Sequence, residues 1–342
     1  MKDSYFSNKK TAVQFVLSLF VFFIHFCLFS VFDSKGALVT GIFNVLLPLT
    51  HVAVPLFYVI SAALFYRDYT LASTLKKWKS RFFSLCIPYL VWNSIWLFLA
   101  LLGYYTPLGL FLGNIRTAFS WEAVLRGIFL HGFFVPFWFI LQLIVFTALC
   151  PVIYLFLKNK WVGLGTICLA SVAHALGFPA ESTVLPNPVM LIFYLWGAWI
   201  GLHAFPVFTR RWGKPQAAVC LVLYLLCCLY IGVADLLPVF CISRQMMLLV
   251  KIISCGAFWV AFDLLDISRC PACWKETFLI YAMHSLVGGA IAKILDLLLP
   301  DGDLFRILIG VITFAATLVI ICIFGKLLGL WFPRLKKLLT GR

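Results

Sequence analysis

The sequence is built from long apolar runs, and nothing else in it restricts the fold as strongly. About ten can be marked, at roughly 12–32, 43–66, 82–104, 137–157, 161–178, 188–205, 216–237, 245–265, 278–299 and 305–330, the fifth and sixth being short. A membrane-crossing helix needs roughly 20 such residues. Inside hydrocarbon the backbone must also satisfy its own polar groups, which a helix does. Composition agrees: 64% of the 342 residues are hydrophobic and only 11% are charged, against about 25% charged in a soluble domain. A soluble globule is excluded, and so is disorder, which needs low hydrophobicity and high charge. The first run, Ala12 to Phe32, is too long for a signal-peptide core and lacks a small-x-small cleavage site, so it reads as a retained span. The expected fold is an all-α integral membrane bundle of about ten transmembrane helices, forming one multi-pass domain over residues 1–342.

The net charge of +15 comes from 27 basic and 12 acidic residues. On a soluble chain that balance suggests nucleic acid. Here the basic residues lie between the apolar runs and report orientation instead. With the N-terminus inside, twenty Lys and Arg fall in inner segments and five in outer ones, which places both termini in the cytoplasm. The outer connection 105–136 carries Trp121, Leu125, Ile128 and Phe129 at helical spacing, with Glu122, Arg126 and His131 among them. It reads as an interfacial or re-entrant helix. Most of the 12 cysteines lie inside apolar runs, where they behave as small hydrophobes. Only Cys241 falls in a segment placed on the outer side of the membrane, so no disulfide framework is expected.

Polar groups in hydrocarbon are costly, and each is a candidate site. His25 lies past the middle of the first span. Gln14 precedes it by eleven residues, three helical turns plus about 20°, so both face one way roughly 16 Å apart along the axis. His51 lies in the second span at about the same depth. Pro55 follows it by four residues and opposes the His51 carbonyl, which predicts a kink tolerated only in a buried or wet setting. Lys76, Lys77, Lys79 and Arg81 follow on the inner side. They suit either headgroup anchoring or a phosphate-bearing ligand. Tyr281 and His284, three residues apart near the inner end of the ninth span, share a face. His131, His174 and His203 fall near the surfaces and carry no expected role. Cys270-Pro-Ala-Cys273 is an isolated C-x-x-C and a weak metal or redox signal. No G-x-S-x-G, H-E-x-x-H or Walker-type loop occurs, and no metal is expected.

These segments together resemble a known family. QFVLSLFVFFIH (14–25), HVAVPLFYVISAALFY (51–66) and KKWKSRFFSLCIPYL (76–90) are similar to the first third of acyltransferase family 3. PFWFILQLIVFTALCPVI (136–153) and FLIYAMHSLV (278–287) resemble its later W-F and I-Y-x-x-H spans. The resemblance runs in order over about residues 10–330. It implies a bacterial inner-membrane enzyme that moves an acetyl group from cytosolic acetyl-CoA to a hydroxyl of a cell-surface or lipid-linked glycan, with membrane lipids around it and no nucleic acid. His25 then matches the family's first-span catalytic histidine, and Lys76 to Arg81 match the loop at its acyl-CoA end. Three positions depart from the pattern. Gln14 stands where an arginine is usual, with Lys10 one turn earlier as the candidate substitute. His51 stands where many members carry arginine, and Ser61-Ala62 replaces the usual S-G.

On this reading the CoA phosphates meet the inner basic cluster, and the thioester arm follows the face from Gln14 to His25. His25 acts as general base or transient acyl carrier. His51 positions the acceptor or stabilises the oxyanion, and Tyr281 and His284 contribute to substrate binding. The rival reading is a transporter or flippase for a lipid-linked or anionic solute, since broken spans and mid-membrane histidines suit that class too. Against it, the chain shows no second copy of the H…P-L-F pattern.

Overall fold

The structure, a computed structural model, describes residues 2–26, 36–107, 109, 115–130, 132–178, 187–236 and 243–341. His131, Cys241 and the end of the first predicted span (27–32) lie outside them. Every regular element among the described residues is a helix. In chain order these are α1 (Lys2–Phe26), α2 (Ala37–Thr50), α3 (Ala53–Tyr66), α4 (Thr74–Arg81), α5 (Ile87–Tyr105), α6 (Trp121–Phe129), α7 (Trp138–Ala148) and α8 (Cys150–Leu157). They continue with α9 (Lys160–Ala175), α10 (Pro188–Trp199), the single turn α11 (Phe205–Phe208), α12 (Lys214–Leu236), α13 (Arg244–Ala261), α14 (Thr277–Leu298), α15 (Asp303–Trp331) and α16 (Pro333–Thr340). Side-chain caps set several starts: Ser120, Asn159, Asn187 and Ser243 each accept from backbone N–H groups of the turn that follows.

Among the described residues, seven helical stretches are long and apolar enough to cross a membrane, and an eighth if a bent pair counts as one span. The chain is a multi-pass membrane protein. The bent pair is the fourth predicted run: Val135–Ala148 and Cys150–Leu157 meet at 65°. Pro151 explains the bend, because its ring opposes the carbonyl of Thr147. That freed carbonyl accepts a hydrogen bond from the Trp78 indole N–H at 2.9 Å, so the break leaves no orphan there. The second predicted run is broken at His51–Val52, four residues before Pro55, where the sequence predicts a kink. The fifth, α9, has only 16 residues.

The described chain forms two compact units, each assembled from separate segments. The first comprises Met1–Phe20, Asn44–Lys79 and Val145–Cys270. Its main contacts join α3 to α10 and α12 to α13. Gly197 on α10 and Gly201 in the π-helical turn that follows it lie against the α3 backbone at Val59 and Ala63, so close that an added Cβ would overlap carbonyl oxygens. In hydrocarbon, helices adhere by this kind of close packing rather than by expulsion of water.

The second unit comprises Val21–Phe43, Ser80–Ile144 and Pro271–Arg342. There α14 packs along α15, and α5 packs against α6 and α16. Phe22, Val39, Ala292 and Ile309 form a buried cluster. The expected amphipathic helix of the 105–136 connection is α6. Trp121, Leu125 and Phe129 are exposed on it, and its C-terminal carbonyls at Ile128 and Phe129 accept from Asn93 and Tyr89 of α5.

Candidate functional site

In the second unit the last turn of α1 and the second turn of α14 bring two histidines together. The His25 and His284 ring centroids are 5.4 Å apart, with the ring planes 32° from parallel. The sequence placed His284 near the inner end of its span and His25 past the middle of another. α14 begins at Thr277, one residue from the expected start of that span, and His284 lies about two turns inside it. His284 is wholly buried. Its Nδ1 lies 3.1 Å from the Ile280 carbonyl oxygen and 2.8 Å from that of Tyr281. A carbonyl only accepts, so Nδ1 carries the proton and Nε2 presents a lone pair. That Nε2 is buried and has no hydrogen-bond partner.

Aromatic rings surround His284. Phe22 lies 5.5 Å from the His284 ring and stacks on Phe314 at 4.6 Å. Phe134 lies 5.9 Å from His284 and stacks on Trp96 at 4.6 Å. The Tyr281 ring, 6.4 Å from His284, stacks on Phe137, and its hydroxyl donates to the Pro136 carbonyl. The surroundings are apolar and tightly packed, which strengthens any hydrogen bond formed inside them. His25 itself is only partly buried.

The other expected residues lie elsewhere. Gln14 and Lys10 are half-buried on α1, which is unbroken through His25, so the helical register assumed from sequence holds. His51 occupies the two-residue break between α2 and α3. Lys76 and Lys79 are exposed on α4, and Arg81 ends it half-buried. Lys77 is committed locally. Its ammonium donates to the Phe65 and Arg67 carbonyls at the end of α3 and lies over the Phe65 and Tyr69 rings. It therefore caps α3, where a cation also suits the helix dipole.

Sequence reasoning missed a second polar cluster, in the first unit. Lys9 is almost fully buried and pairs with Asp263 at 2.6 Å. Asp263 Oδ1 also accepts from the Tyr5 hydroxyl, and Oδ2 from the Trp212 backbone N–H at 3.0 Å. The Lys9 ammonium lies 4.7 Å from the centre of the Trp259 ring. Burial pulls the Lys9 ammonium below the usual lysine range, opposed by the Asp263 carboxylate. Burial first, and Asp263 second, push the Tyr5 phenol up. The signal was present in the sequence: Asp263 is an acid within the eighth apolar run, and such a residue calls for a buried partner.

The first unit also holds an apolar cavity of about 210 Å³, lined among others by Leu56, Trp196, Phe208, Cys255 and Trp259. Its walls carry no carboxylate, amine or imidazole. Among the described residues no three His, Cys, Asp or Glu side chains gather as metal ligands.

Comparison with known proteins gives one match. A family model described as an acyltransferase domain covers residues 11–326. No curated protein and no solved structure matches the chain.

Proposed function

Because the chain belongs to this acyltransferase family over nearly its whole length, we propose that it moves an acetyl group from cytosolic acetyl-CoA to a hydroxyl of a cell-surface or lipid-linked glycan, with His25 as general base. Membership gives acyl transfer by a membrane enzyme; donor, acceptor and residue roles are our reading. The observation that carries it is the His25–His284 pair, in which His25 meets an imidazole that is itself packed among aromatic rings. Imidazole is the side chain whose basicity suits proton transfer near neutral pH.

In the reaction the acceptor oxygen bonds to the acetyl carbon as the C–S bond of the thioester breaks. His25 takes the hydroxyl proton and returns it to the leaving CoA thiolate. The polyanionic end of CoA needs cations. Exposed Lys76 and Lys79, with Arg81 at the end of the same helix, are assigned to it, while Lys77 fixes the local backbone. Lys10 and Gln14 are assigned to the thioester arm. His51, in a break of the helix, is assigned to polarising the acetyl carbonyl. The proposed topology is one domain of ten spans in a bacterial cytoplasmic membrane, both termini inside, with the excess of Lys and Arg across the inner segments deciding orientation.

The test uses membranes from the producing cell, supplied with acetyl-CoA labelled in the acetyl group. Label should enter a glycan or lipid-linked sugar fraction only when the chain is present. Uptake of a solute without such label would overturn the reading in favour of transport. A Gln14→Arg variant should bind acetyl-CoA more tightly, and unchanged affinity would remove Gln14 from the donor site.

A further inference from the structure

The tautomer of His284 is fixed by its own helix, and the consequence lies on the other side of its ring. With Nδ1–H held by the Ile280 and Tyr281 carbonyls, Nε2 is a pure acceptor. It is wholly buried and unpartnered. Leaving a buried acceptor unmet is costly, and a group retained only for packing would be better replaced by an apolar ring. The nearest ionisable ring is His25, at a centroid separation too wide for stacking but near that of two imidazoles sharing one N–H···N bond edge to edge. Phe22, Phe134 and Tyr281 crowd the His284 ring and hold its orientation.

We propose that His284 is a positioning residue for His25: its Nε2 accepts a hydrogen bond from the second ring N–H of His25 when His25 takes up the acceptor proton. This rests on the reading of His25 as the base. One His25 nitrogen receives the hydroxyl proton, and the other keeps its own proton and donates it in a hydrogen bond to His284. No proton passes to His284, so the pair holds one positive charge, which leaves when His25 protonates the CoA thiolate. The role is that of the group that orients and supports a catalytic imidazole, carried out here by a neutral ring.

Three variants in native membranes, assayed with labelled acetyl-CoA, separate the outcomes. His284→Phe keeps an aromatic ring, slightly larger than imidazole, and removes the acceptor. It should lower the transfer kcat at least about tenfold with KM for acetyl-CoA unchanged, while thermal unfolding of the purified protein shifts up or stays level because an unmet polar atom has gone. His284→Gln retains an acceptor and should restore much of kcat. A His284→Phe variant with parental kcat overturns the inference, as does one whose activity falls only in step with its Tm. A His284→Gln variant as impaired as His284→Phe overturns it too, since the acceptor would then not be what matters. His25→Ala separates the two readings. If transfer survives it, the assignment of His25 fails and this inference with it. If transfer is lost there but not in His284→Phe, only this inference fails.

Discussion

The two buried polar clusters differ in how completely their polar atoms are met. Around Asp263 every charge is met: Oδ1 holds Lys9 and Tyr5, and Oδ2 holds the Trp212 N–H. Around His284 one nitrogen is met and the other is not. Both lie in surroundings of low dielectric, where an unmet polar atom is expensive. A fully satisfied network costs nothing further to maintain and pins the start of α1. An unsatisfied one has room for a partner that comes and goes, a proton or a substrate.

The comparison is broken most severely at Lys9. Lys9→Met leaves Asp263 buried and uncompensated and should destabilise the protein by about 3–5 kcal/mol. Adding Asp263→Leu should recover most of that loss in thermal unfolding. If the double variant is no better than the single, packing against Trp259 rather than charge is what matters. A smaller loss, about 1–3 kcal/mol, is expected for Gly197→Leu, which forces α10 away from the Val59 backbone. That variant tests the scaffold through volume, and an unchanged Tm would mean the α3–α10 contact gives way freely. Next comes Tyr281→Phe, which removes the hydroxyl bonded to the Pro136 carbonyl and should cost about 1 kcal/mol with KM for acetyl-CoA unchanged. A raised KM would instead place that hydroxyl on the substrate.

The smallest effect belongs to Asp266, an exposed carboxylate paired with Arg211 and, at 3.4 Å, with Lys214. Lys214 first, then Arg211, holds its carboxyl below the ordinary carboxylate range. A carboxyl lowered on folding adds stability above its unfolded value and loses it as pH falls through the folded one. Asp266→Asn should therefore be slightly less stable than the parent at neutral pH and equal to it in acid, with the gap closing in salt. A gap that persists in acid would contradict the ion pair as its cause.

The apolar runs announce the helices, because hydrocarbon leaves the backbone few alternatives, and Pro55 and Pro151 mark where two spans break. His25 and His284 were both legible as polar residues in apolar segments. Their meeting was not, since α1 and α14 are separated by most of the chain and a sequence does not say which spans pack against each other. Lys9 shows the opposite error. It reads as one more inner-side cation, and only folding reveals that it is buried against Asp263. Lys77 likewise reads as part of a phosphate cluster and proves to be a helix cap. Charge in a sequence gives sign and number; burial decides whether that charge is scaffold or surface.

We propose that His25 performs the proton transfer of acyl transfer. Its most direct test is the rate of label transfer from acetyl-CoA in native membranes containing His25→Ala at parental abundance. The rate should fall about a hundredfold or more, with the Tm little affected. Transfer at the parental rate would contradict it.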